Sequence, residues 1–190
     1  MVELFKEKTY CLDSNVFIEG WNKYYSPQLC PDYWNVLKEL GRKGKIFIPK
    51  DVYEEITSGE DELSSWLKSS KIRVSKRTGP ILNCWTAILA KNPNHQRLVD
   101  NTKGRSLADP WVIAHAIVEK ATVVTKEIKL LDENSKRLKI PNVCENMGVP
   151  WMDDFQFLKE VNALFSCKIK PSEPIGDAMI SEPLSDYNAG

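Results

Sequence analysis

Histidine is nearly absent from this sequence. Only His95 and His115 occur among 190 residues, which argues against histidine-rich metal centres and makes a serine–histidine–aspartate triad a poor reading. The cysteines Cys11, Cys30, Cys84, Cys144 and Cys167 are odd in number, far apart and free of any C-x-x-C pair. Neither a disulfide framework nor a zinc site is expected, and reduced thiols in a cytoplasm follow. Long apolar runs are missing too, since none approaches the roughly 20 residues that a membrane-spanning helix needs. With charged residues preceding the first apolar run, a soluble, unsecreted, cytoplasmic chain with no membrane partner is expected. Glycine-rich phosphate loops are also lacking: Gly41-x-x-Gly44 matches neither phosphate-binding fingerprint. No internal repeat or low-complexity tract is visible.

What remains suits one globular domain. A chain of this length, 42% hydrophobic, can bury roughly 70% of its unfolded surface. The formal net charge is zero, but between Trp66 and Ser106 nine cations meet one anion, Asp100. The rest of the chain is acidic by the same amount. Lys71, Arg73, Lys76, Arg77, Lys103 and Arg105 in the basic stretch are candidates for phosphate contacts. A solvated charged surface is the plainer alternative. Beyond Lys170 there is no Lys or Arg, while Glu173, Asp177, Glu182 and Asp186 lie among Pro171, Pro174 and Pro183. Residues 1–170 are therefore expected to form the domain and 171–190 an acidic, proline-containing tail.

Hydrophobic periodicity orders the chain as alternating strands and helices. Thr9 to Leu12 reads as a strand that stops at the turn-prone Asp13-Ser14-Asn15. Tyr33, Val36, Leu37 and Leu40 follow Pro31 at helical spacing, and Gly41 and Gly44 are expected to end that helix. Lys45 to Ile48 is a second strand, and the helix after Pro49 places Val52 and Ile56 on one face. Further helices are expected at 61–68 and at 80–90, the latter with Ile81, Leu82, Trp85, Ile88 and Leu89 inward. A brief strand covers 72–74. A helix opens at Ala108-Asp109-Pro110, and Ala121 to Thr125 is the clearest buried strand. A short helix at 141–147, a strand at 149–152 and a closing helix at 153–165 with Phe155, Leu158, Val161 and Leu164 inward complete the pattern. Such alternation implies parallel βαβ units with right-handed crossovers.

In open parallel sheets, ligands gather outside the carboxyl ends of the strands. Asp13 follows the first strand and Glu127 lies just past Thr125, so both are placed for chemistry. Each also has a structural alternative, a helix cap for Asp13 and a solvated loop charge for Glu127. Asp109 before Pro110 looks like a helix N-cap followed by proline in the first turn, a role compatible with facing a cation. Glu55 lies about 60° from Val52 around its helix, beside the buried stripe, whereas Glu54 lies about 160° away and reads as surface. Converging carboxylates repel by roughly 1 kcal/mol per close pair in water and about 4 at an intermediate dielectric. A divalent cation removes that repulsion and can activate water against a phosphodiester.

These residues carry a resemblance. Tyr10 to Ile18, with Asp13-Ser14-Asn15 at its centre, resembles the opening D-x-N motif of PIN-domain ribonucleases. Val52-Tyr53-Glu54-Glu55-Ile56 is similar to the helix bearing that family's second acid. Ala108-Asp109-Pro110-Trp111-Val112-Ile113-Ala114-His115-Ala116 looks like the A-D-x-x-I-A-A helix with the third, and Val123-Val124-Thr125-Lys126-Glu127 like the strand ending in the fourth. The likeness covers roughly residues 8–165 and is strongest toward a bacterial subfamily catalogued as a domain of unknown function. It implies a three-layer α/β/α, Rossmann-like PIN fold around a parallel sheet. It also implies a Mg2+- or Mn2+-dependent endoribonuclease acting on single-stranded RNA, with Asp13, Glu55, Asp109 and Glu127 as direct or water-bridged ligands and Asn15 and Thr125 as polar support. The family's fourth acid is usually Asp, so the longer Glu127 is expected to reach its metal through water. Relatives include toxins held by an antitoxin, RNA-processing nucleases and inactive scaffolds, and are commonly homodimers. An antitoxin or other regulatory protein and a second copy are thus candidate partners.

Two other readings stay open. Haloacid-dehalogenase-like phosphatases also place an acid after the first strand and paired acids, here Asp153-Asp154, after a late one. That reading gives Glu55 and Asp109 no role and finds Asn15 where a second Asp belongs. An inactive PIN-like module binding RNA or protein through the basic middle is the other.

Overall fold

Short apolar runs without polar alternation form most of the strands, as suits a sheet covered on both faces. The computed structural model describes residues 7–99, 107–132 and 138–166. The expected tail at 171–190 and the candidate cations Lys103 and Arg105 lie outside these residues. The strands are β1 (Tyr10–Leu12), β2 (Ile46–Pro49), β3 (Arg73–Ser75), β4 (Thr122–Val124) and β5 (Trp151–Met152). They form one parallel sheet in the order β3-β2-β1-β4-β5. β1, β2 and β4, the three middle strands, are buried along their whole length.

The helices are α1 (Ser14–Glu19), continued by a π-helical turn at Gly20–Tyr24, then α2 (Pro31–Arg42), α3 (Lys50–Thr57), α4 (Glu62–Ser69) and α5 (Gly79–Lys91). After a 3-10 turn at Pro93–Leu98 come α6 (Asp109–Glu119), α7 (Ile140–Met147) and α8 (Asp154–Glu160). With helices flanking the sheet this is the expected three-layer α/β/α architecture. α6 packs on β1, β2 and β4, burying Val112 and Ile113 against Cys11, Phe47 and Val123 in one apolar core. Among the described residues no helix is long and apolar enough to cross a membrane, and Cys11, Cys30, Cys84 and Cys144 are free thiols.

Several expected boundaries and faces shift for physical reasons. α2 runs through Gly41 rather than ending there, because that glycine makes room for a neighbouring segment: a Cβ at position 41 would stand 2.7 Å from Ile72 Cγ1. Gly44, at φ +69°, makes the turn instead. On α5 only Ile81 and Ile88 are fully buried, and Leu82 is exposed. The closing helix ends at Glu160, not near 165, and is rotated from its expected phase. Asp153 and Gln156 form a capping box that starts it at Asp154. Phe157 and Leu158 then face the core, while Phe155 and Leu164 are exposed.

Candidate active site

The register of the sheet puts the site together. Leu12 on β1 pairs with Val124 on β4, so the next residue of each strand, Asp13 and Thr125, emerge side by side at the carboxyl end. The backbone continues this alignment, with Asp13 N–H donating to Val124 O at 3.0 Å and Thr125 N–H to Met152 O at 3.1 Å. Asp13 caps α1 and is fully buried. Its Oδ1 accepts from Ser14 N–H at 2.7 Å. Its Oδ2 accepts from Thr125 Oγ1 at 2.8 Å and from Asn15 Nδ2 at 3.3 Å. Burial first, then the nearby charge of Glu127 and more weakly that of Glu55, push this carboxyl up to about 7, against the opposing pull of the Thr125 and Ser14 hydrogen bonds. Most of that upward shift is the cost of burial, and the neighbouring carboxylates add to it.

Glu55, on α3, sits at the rim rather than inside: the residue is exposed. Its carboxyl is nonetheless partly desolvated, which raises its pKa, while a hydrogen bond from Ser14 works to lower it. Ser14 therefore stands between two of the acids, its hydroxyl also 3.4 Å from Asp13 Oδ1. Sequence reading treated Ser14 only as a turn and helix-start residue. The signal available was a hydroxyl directly beside the first acid. Glu54, expected on the surface, is there and pairs with Lys50 at 2.7 Å.

Asp109 is buried, but not as a cap. The helix begins at Asp109 itself, and Ala108 occupies the cap position without a side-chain hydrogen bond. The Ala108 carbonyl accepts from Trp111 and Val112 N–H. An acid in this first turn is favoured by the positive end of the helix dipole. A cavity of about 400 Å³ joins the two helices here, lined by Glu55, Ser58 and Asp51 on one side and by Leu107 and Ala108 on the other.

Glu127 is held differently from Asp13. Its side chain is nearly buried and ion-paired with Lys139, and its Oε2 accepts from Ile140 N–H at 2.8 Å, at the start of α7. Its own N–H donates to Thr125 Oγ1 at 3.1 Å. Thr125 thus links Asp13 to the Glu127 backbone while the Glu127 carboxylate is directed to α7. Lys139 lies 12 residues downstream, and nothing in the local sequence signals it.

Among the described residues, no three Asp, Glu, His or Cys side chains stand together closely enough to hold a metal ion as arranged. The chemistry of the donors is nonetheless that of a hard-cation site. Carboxylate and hydroxyl oxygens gather here, and no imidazole competes. His95 is buried with Nδ1 on Ile88 O at 2.9 Å. His115 is buried on α6, where neither ring nitrogen has a hydrogen-bond partner among the described residues and burial lowers its pKa.

Of the candidate phosphate-binding cations, two are already engaged. Arg73 forms a bidentate pair with Glu119, both contacts at 2.9 Å, and lies over the Phe47 ring. Arg77 pairs with Asp51 and stacks 3.7 Å from the Trp111 centroid. Lys71 and Lys76 are exposed. Lys50, Lys76 and Arg77 line one cavity whose Asp51, Glu54 and Arg77 also line the cavity holding Glu55. The paired acids Asp153 and Asp154 have structural partners: Asp153 caps α8, and Asp154 is buried against Lys126 and Tyr25.

The fold has solved counterparts. VapBC2 from Rickettsia felis, bound to a DNA fragment from its promoter, aligns at TM-score 0.50 and 19% identity over 76% of this chain and 98% of that one. At that identity the likeness concerns the fold, and it bears out the PIN-type architecture. VapBC-1 from nontypeable Haemophilus influenzae (TM-score 0.47, 13% identity, 76% and 97% covered) and DNA-bound VapBC from Salmonella typhimurium (0.44, 14%, 77% and 98%) are more distant. No curated protein matches the sequence. Residues 10–165 match the family described as Domain of unknown function (DUF4411), and the chain belongs to that family.

Proposed function

We propose that this protein is a Mg2+- or Mn2+-dependent endoribonuclease that hydrolyses phosphodiester bonds of single-stranded RNA at the carboxyl end of its sheet. The observation that carries the reading is Asp13: a fully buried carboxyl at the end of the central strand, its pKa raised first by burial and then by the charges of Glu127 and Glu55. A buried acid with further carboxylates near it at a sheet's ligand-binding end is characteristic of functional sites.

Asp13, Glu55 and Asp109 are the residues that would hold the metal. A cation held there would neutralise the carboxylates, polarise the scissile phosphate and lower the pKa of the attacking water. Asp13 acts as the fixed anchor, because both its oxygens are already oriented by Ser14, Asn15 and Thr125. Glu55 lines the cavity and is the residue that takes the proton from water. Glu127 serves from outside, through water or after leaving Lys139. Lys76, exposed on the rim of the adjoining cavity, leads the phosphate backbone toward Glu55. An antitoxin or regulatory protein and a second copy of the chain are the proposed protein partners. The proposed domain is residues 1–170, with 171–190 as a tail.

The test is cleavage of end-labelled single-stranded RNA and DNA with manganese, magnesium or chelator, beside Asp13→Asn and Glu55→Gln. RNA is cut only with metal, and each substitution lowers the rate by about 10²-fold or more, the scale of losing one preorganised electrostatic group. Wild-type RNA cutting that persists in chelator, or that both variants retain, overturns the reading.

A further inference from the structure

On the β4–β5 side of the acids lies a cavity of about 550 Å³, a volume typical of small-ligand sites. Glu127 forms part of its wall, so it opens directly beside the proposed active site. Tyr24, Ile128, Trp151 and Phe155 supply its apolar surface, and Tyr24, Ile128 and Phe155 are more than half exposed. Such rings in solvent, next to an acidic site, call for a flat apolar occupant.

The polar groups decide which occupant. The cavity's two cations are already satisfied. Lys126 is almost fully buried, 2.6 Å from Asp154 Oδ2, with Tyr24, Phe155 and Tyr25 around its ammonium at 4.0, 5.5 and 5.7 Å. Lys129 pairs with Glu145. The remaining polar lining is Glu19, Glu127 and Asp153, all acceptors; Lys139 and Ile140 N–H hold Glu127 and Gln156 N–H takes one Asp153 oxygen, so Glu19, 3.7 Å from Lys23, and the other Asp153 oxygen are the ones that face an occupant. Carboxylates repel a phosphate but accept hydrogen bonds from exocyclic amino groups, as acidic side chains do from cytosine N4. Aromatic faces bind bases by stacking.

We infer that this cavity is a nucleobase pocket: an unstacked base of the single-stranded substrate stacks on Tyr24 and Phe155, with an amino-bearing base favoured over uracil by the carboxylate rim. The inference rests on the nuclease reading for bringing a nucleic acid to this end of the sheet. The strand then crosses the acids from the cation rim beside Glu55 to the aromatic pocket beside Glu127.

Equilibrium binding of fluorescein-labelled single-stranded A, C and U homopolymers to the full chain, in chelator, tests it by anisotropy. Wild type binds A and C polymers more tightly than U. Tyr24→Leu and Phe155→Leu weaken the A and C complexes about tenfold, within the range of losing one stacked base, and reduce the preference over U. Ile128→Asp, at an exposed rim position that does not bear on folding, weakens them in the same direction. If all three variants keep wild-type affinities, as they do when the cavity instead receives an apolar side chain of a protein partner, the pocket assignment is wrong. The same holds if wild type binds no homopolymer. Metal-dependent RNA cutting is read separately: cutting with unchanged affinities in the variants sinks the pocket alone, while base-selective binding without cutting sinks the nuclease reading alone.

Discussion

Asp13 is a carboxyl with a folded-state pKa of about 7, against about 3.9 for an unfolded aspartate. Between these values the native state holds a proton that the unfolded chain has released. Its contribution to stability is therefore fully present below about pH 4 and is lost as pH rises through 7. Asp13→Asn keeps a capping side chain and removes the buried charge. In chelator at pH 8 the variant should melt at least roughly 2–4 °C above wild type, corresponding to about 1 kcal/mol in a domain of this size. At pH 4 that advantage should disappear, and an equal difference at both pH values would refute the argument. The position of Asp13 was legible because a β-prone run ends there on turn residues. The posture of Glu127 was not, since Lys139 and the Ile140 N–H reach it only after the chain has looped back.

At the level of elements, α8 shows why periodicity misplaced a face. Hydrophobic spacing assumes that charges face outward, yet Asp154 points inward to a buried partnership with Lys126 and with Tyr25 OH at 2.9 Å. That pair fastens the chain leaving β4 to α8, and Phe155 turns outward. Asp154→Ala should lower stability by about 3–5 kcal/mol, the usual result of stranding a buried charge. The measure is a lower urea midpoint with an unchanged slope. Adding Lys126→Met should recover part of the loss. A single variant as stable as wild type would mean the pair does not hold α8 in place. β1, β2 and β4, by contrast, were plain in the sequence, because burial on both faces leaves an uninterrupted apolar run.

For the whole molecule, parallel strands and right-handed crossovers made the layered architecture predictable. The charge distribution was harder to read. Arg73 and Arg77 belong to a basic segment that suggested phosphate contacts, but their partners Glu119 and Asp51 lie 46 and 26 residues away. Only the folded chain shows that these two charges are shared with structure. The acids make their own global prediction. A metal that binds the native state alone stabilises it by about 2.7 kcal/mol at one hundred times its dissociation constant. Manganese should therefore raise the melting temperature of wild type by several degrees and leave Asp13→Asn nearly unmoved. No shift in wild type at saturating manganese would count against the metal site.

The pairing of β1 with β4 also sets a timetable. Thr125, which orients Asp13, lies 112 residues farther along the chain. At roughly 5–20 residues per second, a ribosome needs about 6–20 s to cover that interval. Until then a nascent chain can pair β1 with β2 but has no β4 beside Asp13. Whatever chemistry these acids perform, the machine that makes the protein has moved well past its first strand before the site can exist.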